Sequence, residues 1–169
     1  GLDDILAGFQ REYDTGRIRL FHVATDPLTF ELPTMNKVLR FAREVVDQGT
    51  DAHILYVHSK GLLAKTGSFV PKWYWRRTMQ FWLIEHHEHC RRMLDHGYDA
   101  VGVNPVRGAS KRTGKAVVNG NSVHYSGNFW WARAKHIARL PKTLTVRKRV
   151  DPIERFQAEN LILSEYPDM

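Results

Sequence analysis

The segment His124-Tyr125-Ser126-Gly127-Asn128-Phe129-Trp130-Trp131 crowds small, polar and aromatic side chains together without helical or cleanly alternating spacing. Adjacent indoles offer flat apolar faces of the kind that lie against sugar C–H bonds, and the Asn128 amide brings donors and an acceptor for hydroxyls. Gly127 permits a close backbone approach to a ligand. In an extended segment one of the two tryptophans turns inward and the other stays at the site. A second set, His58-Ser59-Lys60-Gly61, places a compact positive charge beside a hydroxyl and an imidazole. A third, His86, His87, His89 and Cys90, has His86 and Cys90 at i and i+4. Two ligands do not close a metal site, so Cys90 reads as packed, with His86 at the core edge.

The elements that must position these residues follow from periodicity and punctuation. Residues 2–13 read as a short helix and Ile18 to Val23 as a strand running into Asp26-Pro27. Thr34, after Pro33, is placed to cap a helix whose Met35, Val38, Leu39, Ala42, Val45 and Val46 share a face, and Gly49 to Asp51 end it. His53 to Val57 is a short apolar run of the kind buried on both faces in a parallel sheet, and His58 follows its C-terminal end. A long helix spans about Trp73 to His96, with Trp75, Met79, Trp82, Leu83, His86, Cys90, Met93 and Leu94 on one face and Gly97 as its stop. Ala100 to Val103 reads as a strand ending at Asn104. Residues Val123 to Ala132 look extended, a short helix ends near Pro141, and a last helix runs from Pro152 to Glu165. Alternation of strand and helix predicts an α/β fold with a mainly parallel sheet flanked by helices, with ligands at the carboxyl ends of its strands. His58 to Gly61 and Asn104 occupy such ends.

Composition fits one domain over residues 1–169, with 43% hydrophobic and 25% charged residues. Lys and Arg outnumber Asp and Glu by 25 to 18, a formal charge of +7 that favours anionic partners: nucleic acid, anionic headgroups or phosphorylated small molecules. The single cysteine, Cys90, excludes an intramolecular disulfide and suits a reducing, cytoplasmic compartment. No apolar run reaches membrane-spanning length, and no signal-peptide pattern opens the chain.

Several motifs keep a common order from about Glu31 onward: Glu31-Leu-Pro-Thr-Met-Asn36, Ile54-Leu-Tyr-Val-His-Ser-Lys-Gly61, Trp75-Arg76, Tyr98-Asp-Ala-Val-Gly-Val-Asn104, His124 to Ala132 with Leu140-Pro141, and Arg155 with Glu159. In these the chain resembles small glycosyltransferase-like proteins of bacteria and viruses with a GT-A-like, Rossmann-like nucleotide-sugar fold. The resemblance implies a nucleotide-sugar donor across the strand ends and a glycan or other hydroxyl acceptor. It assigns donor and acceptor contacts to His58, Ser59, Lys60, Arg76, Asn104, His124, Ser126, Gly127, Asn128, Trp130 and Trp131. By its place in the pattern Glu159 would be the general base, with Asp99 a weaker alternative, while Asp51 and Asp95 look like helix-end residues.

Two departures qualify the resemblance. GT-A enzymes hold a divalent metal, Mn²⁺ or Mg²⁺, with an Asp-x-Asp motif, whereas the corresponding strand here ends in His58-Ser59-Lys60. Lys60 and Arg76 would then neutralise a diphosphate directly. The usual first strand is missing, as in a fragment or a domain without its base-binding edge. Two other classes compete: a nucleic-acid-binding module using basic loops and aromatic stacking, and a catalytically silent carbohydrate-binding relative.

Overall fold

A computed structural model describes residues 14, 31–58, 69–107, 123–140, 144 and 156–165. The expected helix over 2–13 and strand over 18–23, together with Ser59, Lys60, Arg155 and most of the basic loop residues, lie outside this set. Helix α1 (Leu32–Asp47) buries Leu32, Met35, Val38, Leu39 and Ala42, the spacing that predicted it. Its start differs from expectation: Glu31 is the N-cap, no side chain caps it, and Pro33 sits in the first turn, where its missing N–H costs nothing. Thr34 is therefore inside the helix. At its end Gly49 takes φ 72°, Gly49 N–H bonds Val46 O and Thr50 N–H bonds Val45 O, a left-handed glycine stop.

Strand β1 (His53–Tyr56) follows, then α2 (Phe69–Gln80), a π-helical turn (Phe81–Glu85), α3 (His87–Asp95), β2 (Ala100–Gly102), β3 (Pro105–Arg107), β4 (Val123–Tyr125), β5 (Trp130–Arg133), α4 (Ala134–Arg139) and α5 (Phe156–Leu161). The fold is α/β, but the described sheets are antiparallel, which corrects the expected parallel arrangement. One sheet has the order β1-β5-β2, with β5 antiparallel to both neighbours, and a separate hairpin pairs β3 with β4. Because β1 and β2 both oppose β5, they run parallel to each other, as strand–helix alternation demands, yet they do not touch. The alternation reports direction, not adjacency, and a strand from later in the chain fills the gap. The expected extended run over Val123 to Ala132 is likewise two strands in different sheets, joined through a turn at Ser126 and Gly127.

Both faces of the main sheet are covered. Ile54, Tyr56, Trp130 and Ala132 pack against α1, α4 and α5. Leu55, Val57, Val101 and Trp131 pack against Met79, Leu83, Ile84, Cys90 and Leu94 on the other side. Consecutive tryptophans in one strand thus anchor two opposite layers, as the two-residue period of a strand requires.

The long helix predicted over 73–96 is broken in register by the π turn, where His86 N–H bonds Phe81 O at 3.1 Å, five residues back. The extra residue rotates the helix after it. His87 therefore faces inward, while Trp82 and His86, expected on the buried face, are exposed. Three successive carbonyls of the widened turn are each taken by a side chain: Trp82 O by Cys90 Sγ at 3.5 Å, Leu83 O by Trp131 Nε1 at 2.7 Å, and Ile84 O by His87 Nδ1 at 2.8 Å. These contacts tie the widened turn to α3 and to the central strand β5.

At the N-terminal edge of β1, Asp51 joins the loop to β5 and α4. Its carboxylate accepts from Lys135 N–H at 3.1 Å in the first turn of α4 and from the Arg133 guanidinium at 3.0 Å. Burial pushes its pKa up, but bonds from Lys135 N–H, the Arg133 side chain and Ala52 N–H outweigh this and hold it below the ordinary carboxylate value. The depressed folded-state pKa means that its stabilisation is present above the unfolded-state value, about 3.9, and is lost as pH falls through the lower folded value. Asp51→Asn should remove that contribution at pH 7 and make the acid limb of the stability curve shallower; an unchanged limb in denaturant titrations would refute the anchoring role. Among the described residues no helix is long and apolar enough to cross a membrane.

Candidate functional site

Past the carboxyl end of β1, polar side chains converge between the sheet and the start of α1. Tyr56 and His58 alternate on one face of the extended segment, with rings 5.9 Å apart and nearly parallel. Glu31, just before α1, lies opposite, with its Oε1 3.4 Å from His58 Nε2. The Asn128 amide donates to Glu31 Oε2, and the Tyr56 hydroxyl donates to the same carboxylate. His58 Nε2 also lies 2.8 Å from Gly127 O. A carbonyl can only accept, so this nitrogen carries the proton and the basic atom of the neutral ring is Nδ1.

Asn128 is itself oriented. Its Oδ1 accepts from Trp130 Nε1 at 2.9 Å, which turns its amide nitrogen toward Glu31. Asn128 is fully buried and takes φ 55°, a left-handed conformation that asparagine tolerates better than most residues. Gly127, at φ 102°, comes against α2: a β-carbon there would collide with Met79 Sδ. Gly127→Ala should cost about 2 kcal/mol through strain and overpacking. A denaturant midpoint equal to wild type would show that Met79 yields freely.

Glu159, on α5, is buried, and its carboxylate adds to the field around Tyr56. Burial first, then the Glu31 and Glu159 carboxylates, raise the Tyr56 pKa well above the ordinary phenol value, so it stays a donor at neutral pH. The cluster is thus an imidazole whose Nε2–H is fixed, a carboxylate fed by three donors, and a tyrosine kept protonated. It can move a proton at His58 Nδ1 and stabilise the cation that results.

The remaining predicted site residues are dispersed. Trp131 is buried on the opposite face of the sheet from Trp130, so the expected division between one core tryptophan and one exposed at the site is replaced by one tryptophan in each core layer. His124 is half-buried in β4, Ser126 N–H bonds Asn104 O at 3.0 Å, and Arg76 is half-buried on α2. Asn104 is exposed, with φ 57°, beyond β2. Asp99 pairs with Arg139 at 3.3 Å on the rim of α4. Glu31 and Tyr56 were missing from the predicted set. Tyr56, two residues before His58 on the same strand face, carried a usable signal, whereas Glu31 reaches the site only through the tertiary fold.

Cys90 stands apart. It is 3% exposed within α3, burial pushes its thiol up to about 11, and its Sγ faces Trp82 O. A packed Cys90 was expected and is found in the core with Met79, Leu83 and Leu94, while His86, expected at the core edge, is exposed. Among the described residues no group of three His, Cys, Asp or Glu side chains is arranged to hold a metal.

A family model described as "PTP-NADK: DSP-PTPase phosphatase fused to NAD+ Kinase" matches residues 3–98, more than half of the chain. No curated protein and no solved structure matches it. The matched span holds Glu31, Tyr56, His58 and Cys90, and ends before Asn128, Trp130 and the central strand β5. This match overturns the expectation of a glycosyltransferase, and with it transfer from a nucleotide-sugar. Neither the nucleic-acid-binding module nor the silent carbohydrate-binding relative gains support from it.

Proposed function

Because the chain belongs to the family of DSP-PTPase phosphatases fused to NAD+ kinase, an enzyme family, we propose that it hydrolyses phosphate monoesters with His58 as general base and without a cysteine nucleophile. The observation that carries this reading is the contrast between the two candidate groups. A thiolate nucleophile needs a lowered pKa and an open approach, and Cys90 has a raised pKa and a closed one. His58 has an orienting carboxylate and a defined tautomer at the end of a strand.

In this mechanism His58 Nδ1 takes a proton from a water molecule as its oxygen bonds phosphorus. The ester P–O bond breaks, and the leaving oxygen receives the proton returned by the His58 imidazolium through solvent, giving inorganic phosphate and an alcohol and restoring the neutral ring. Glu31 and Gly127 O stabilise the imidazolium through Nε2–H. Phosphoryl transfer leans on positive charge around the phosphoryl oxygens. Lys60, two residues beyond His58, and the formal charge of +7 suit an anionic substrate.

The test is release of inorganic phosphate from a panel of phosphomonoesters, including p-nitrophenyl phosphate, by wild type and Cys90→Ser. Serine keeps a donor for Trp82 O but cannot form a cysteinyl phosphate. Equal rates are expected. Loss of release in a folded Cys90→Ser variant would return the chemistry to the thiol, and no release by wild type from any ester would remove the proposal.

A further inference from the structure

Beyond β2, on the side of the sheet covered by α2, a groove of about 490 Å³ is lined by Trp75, Thr78, Trp82, Val103 and Asn104. Two backbone irregularities border it. The π turn sets Trp82 outward at 48% exposure, and Asn104 holds a left-handed backbone, φ 57°, with its side chain exposed. Widened helical turns and left-handed residues cost free energy, and they concentrate where a ligand is held. Here both flank the same groove, although an unbroken helix would have been the cheaper structure.

The lining has no charged residue and few polar groups. Thr78 commits its hydroxyl proton to Tyr74 O at 3.0 Å and an indole N–H can only donate, so the Asn104 amide is the lining group that brings both a donor and an acceptor. A sugar would bring several hydroxyls that need partners the groove does not offer. A flat ring with one donor–acceptor edge matches it: its faces stack on indole, and its edge pairs with a primary amide, the geometry by which asparagine reads adenine. We infer that this groove binds a planar heteroaromatic base of the purine or pyrimidine class, stacked on Trp82 and bonded at its edge by Asn104. This site is separate from the proton-handling cluster, and its occupancy does not depend on the phosphate chemistry at His58.

The test is saturable binding of unphosphorylated adenosine and cytidine, with methyl glucoside as control, by saturation-transfer NMR and calorimetry. Wild type should bind a nucleoside and not the glucoside. Trp82→Ala should weaken binding by roughly tenfold or more, the scale of a lost base–aromatic stack, and Trp82→Phe should retain most of it. Asn104→Gly keeps the left-handed backbone and removes the amide, and should weaken binding several-fold. His58→Ala should leave nucleoside binding unchanged, so failure of the groove and failure of the hydrolytic reading give different results. Absence of saturable nucleoside binding, wild-type affinity in a folded Trp82→Ala or Asn104→Gly variant, or equal binding of the glucoside would each overturn the inference. Should Trp82→Ala not fold, Trp82→Phe and Asn104→Gly still decide it.

Discussion

His58→Ala should lower the rate of phosphate release by about 10²- to 10⁴-fold, the range for loss of a positioned general base, while the thermal midpoint moves little. His58 is only partly buried, and its ring contacts with Tyr56 and Phe129 lie at the rim of the core. Glu31→Gln should act in the same direction for a different reason. If the glutamine oxygen stays with the Asn128 amide, its nitrogen faces His58 Nε2–H, and two donors then oppose each other. The ring would be driven to turn or to change tautomer, which removes the basic atom from its place. Turnover and urea denaturation measured on the same samples separate these effects from unfolding. Turnover within a few-fold of wild type in folded His58→Ala would end the assignment.

The largest loss of stability should come from Trp130→Ala, about 3 to 5 kcal/mol, against a total for domains of this kind of about 5 to 15 kcal/mol. Trp130 is 1% exposed, its ring lies 5.3 Å from Tyr56, and its N–H fixes Asn128. Truncation removes a large buried surface from the central strand and leaves the Asn128 oxygen without its donor. Trp130→Phe separates the two contributions. It retains most of the packing and loses the N–H, so it should cost about 1 to 2 kcal/mol but reduce turnover more than its stability loss explains, because Asn128 is no longer held toward Glu31. Urea denaturation with turnover on the same samples makes the comparison. A Trp130→Ala midpoint near wild type would mean that the core can close over the vacancy.

These variants also show what the sequence could and could not reveal. Helix α1, strand β1 and the glycine stops at Gly49 and Gly97 were legible because local periodicity and left-handed geometry determine them. The unusual composition from His124 to Trp131 drew attention to Gly127 and Asn128 as ligand contacts, but it did not reveal their left-handed backbones or distinguish a sugar contact from a hydrogen-bonded core. Trp130 and Trp131 satisfy their N–H groups inside the protein, on Asn128 and on Leu83 O, and that depends on partners far away in the chain. The order β1-β5-β2 was hidden for the same reason, since nothing near β1 or β2 announces that a third strand will come between them. The inserted residue of the π turn has no local signature either. It shows only as the inward face passing from His86 to His87.

The strand order also has a consequence for synthesis. Strand β1 pairs His53 with Arg133, and β2 pairs Ala100 with Ala132, so among the described residues neither has a sheet partner until the chain has been extended past β5. At about 5 to 20 residues per second on the ribosome, the stretch from Gly102 to Arg133 takes on the order of seconds to appear. For that interval the apolar faces of β1 and β2 must be sheltered by the helices alone or by a chaperone. The sheet is assembled by its last-made strand, and nascent chains halted before Trp130 should be the ones that aggregate.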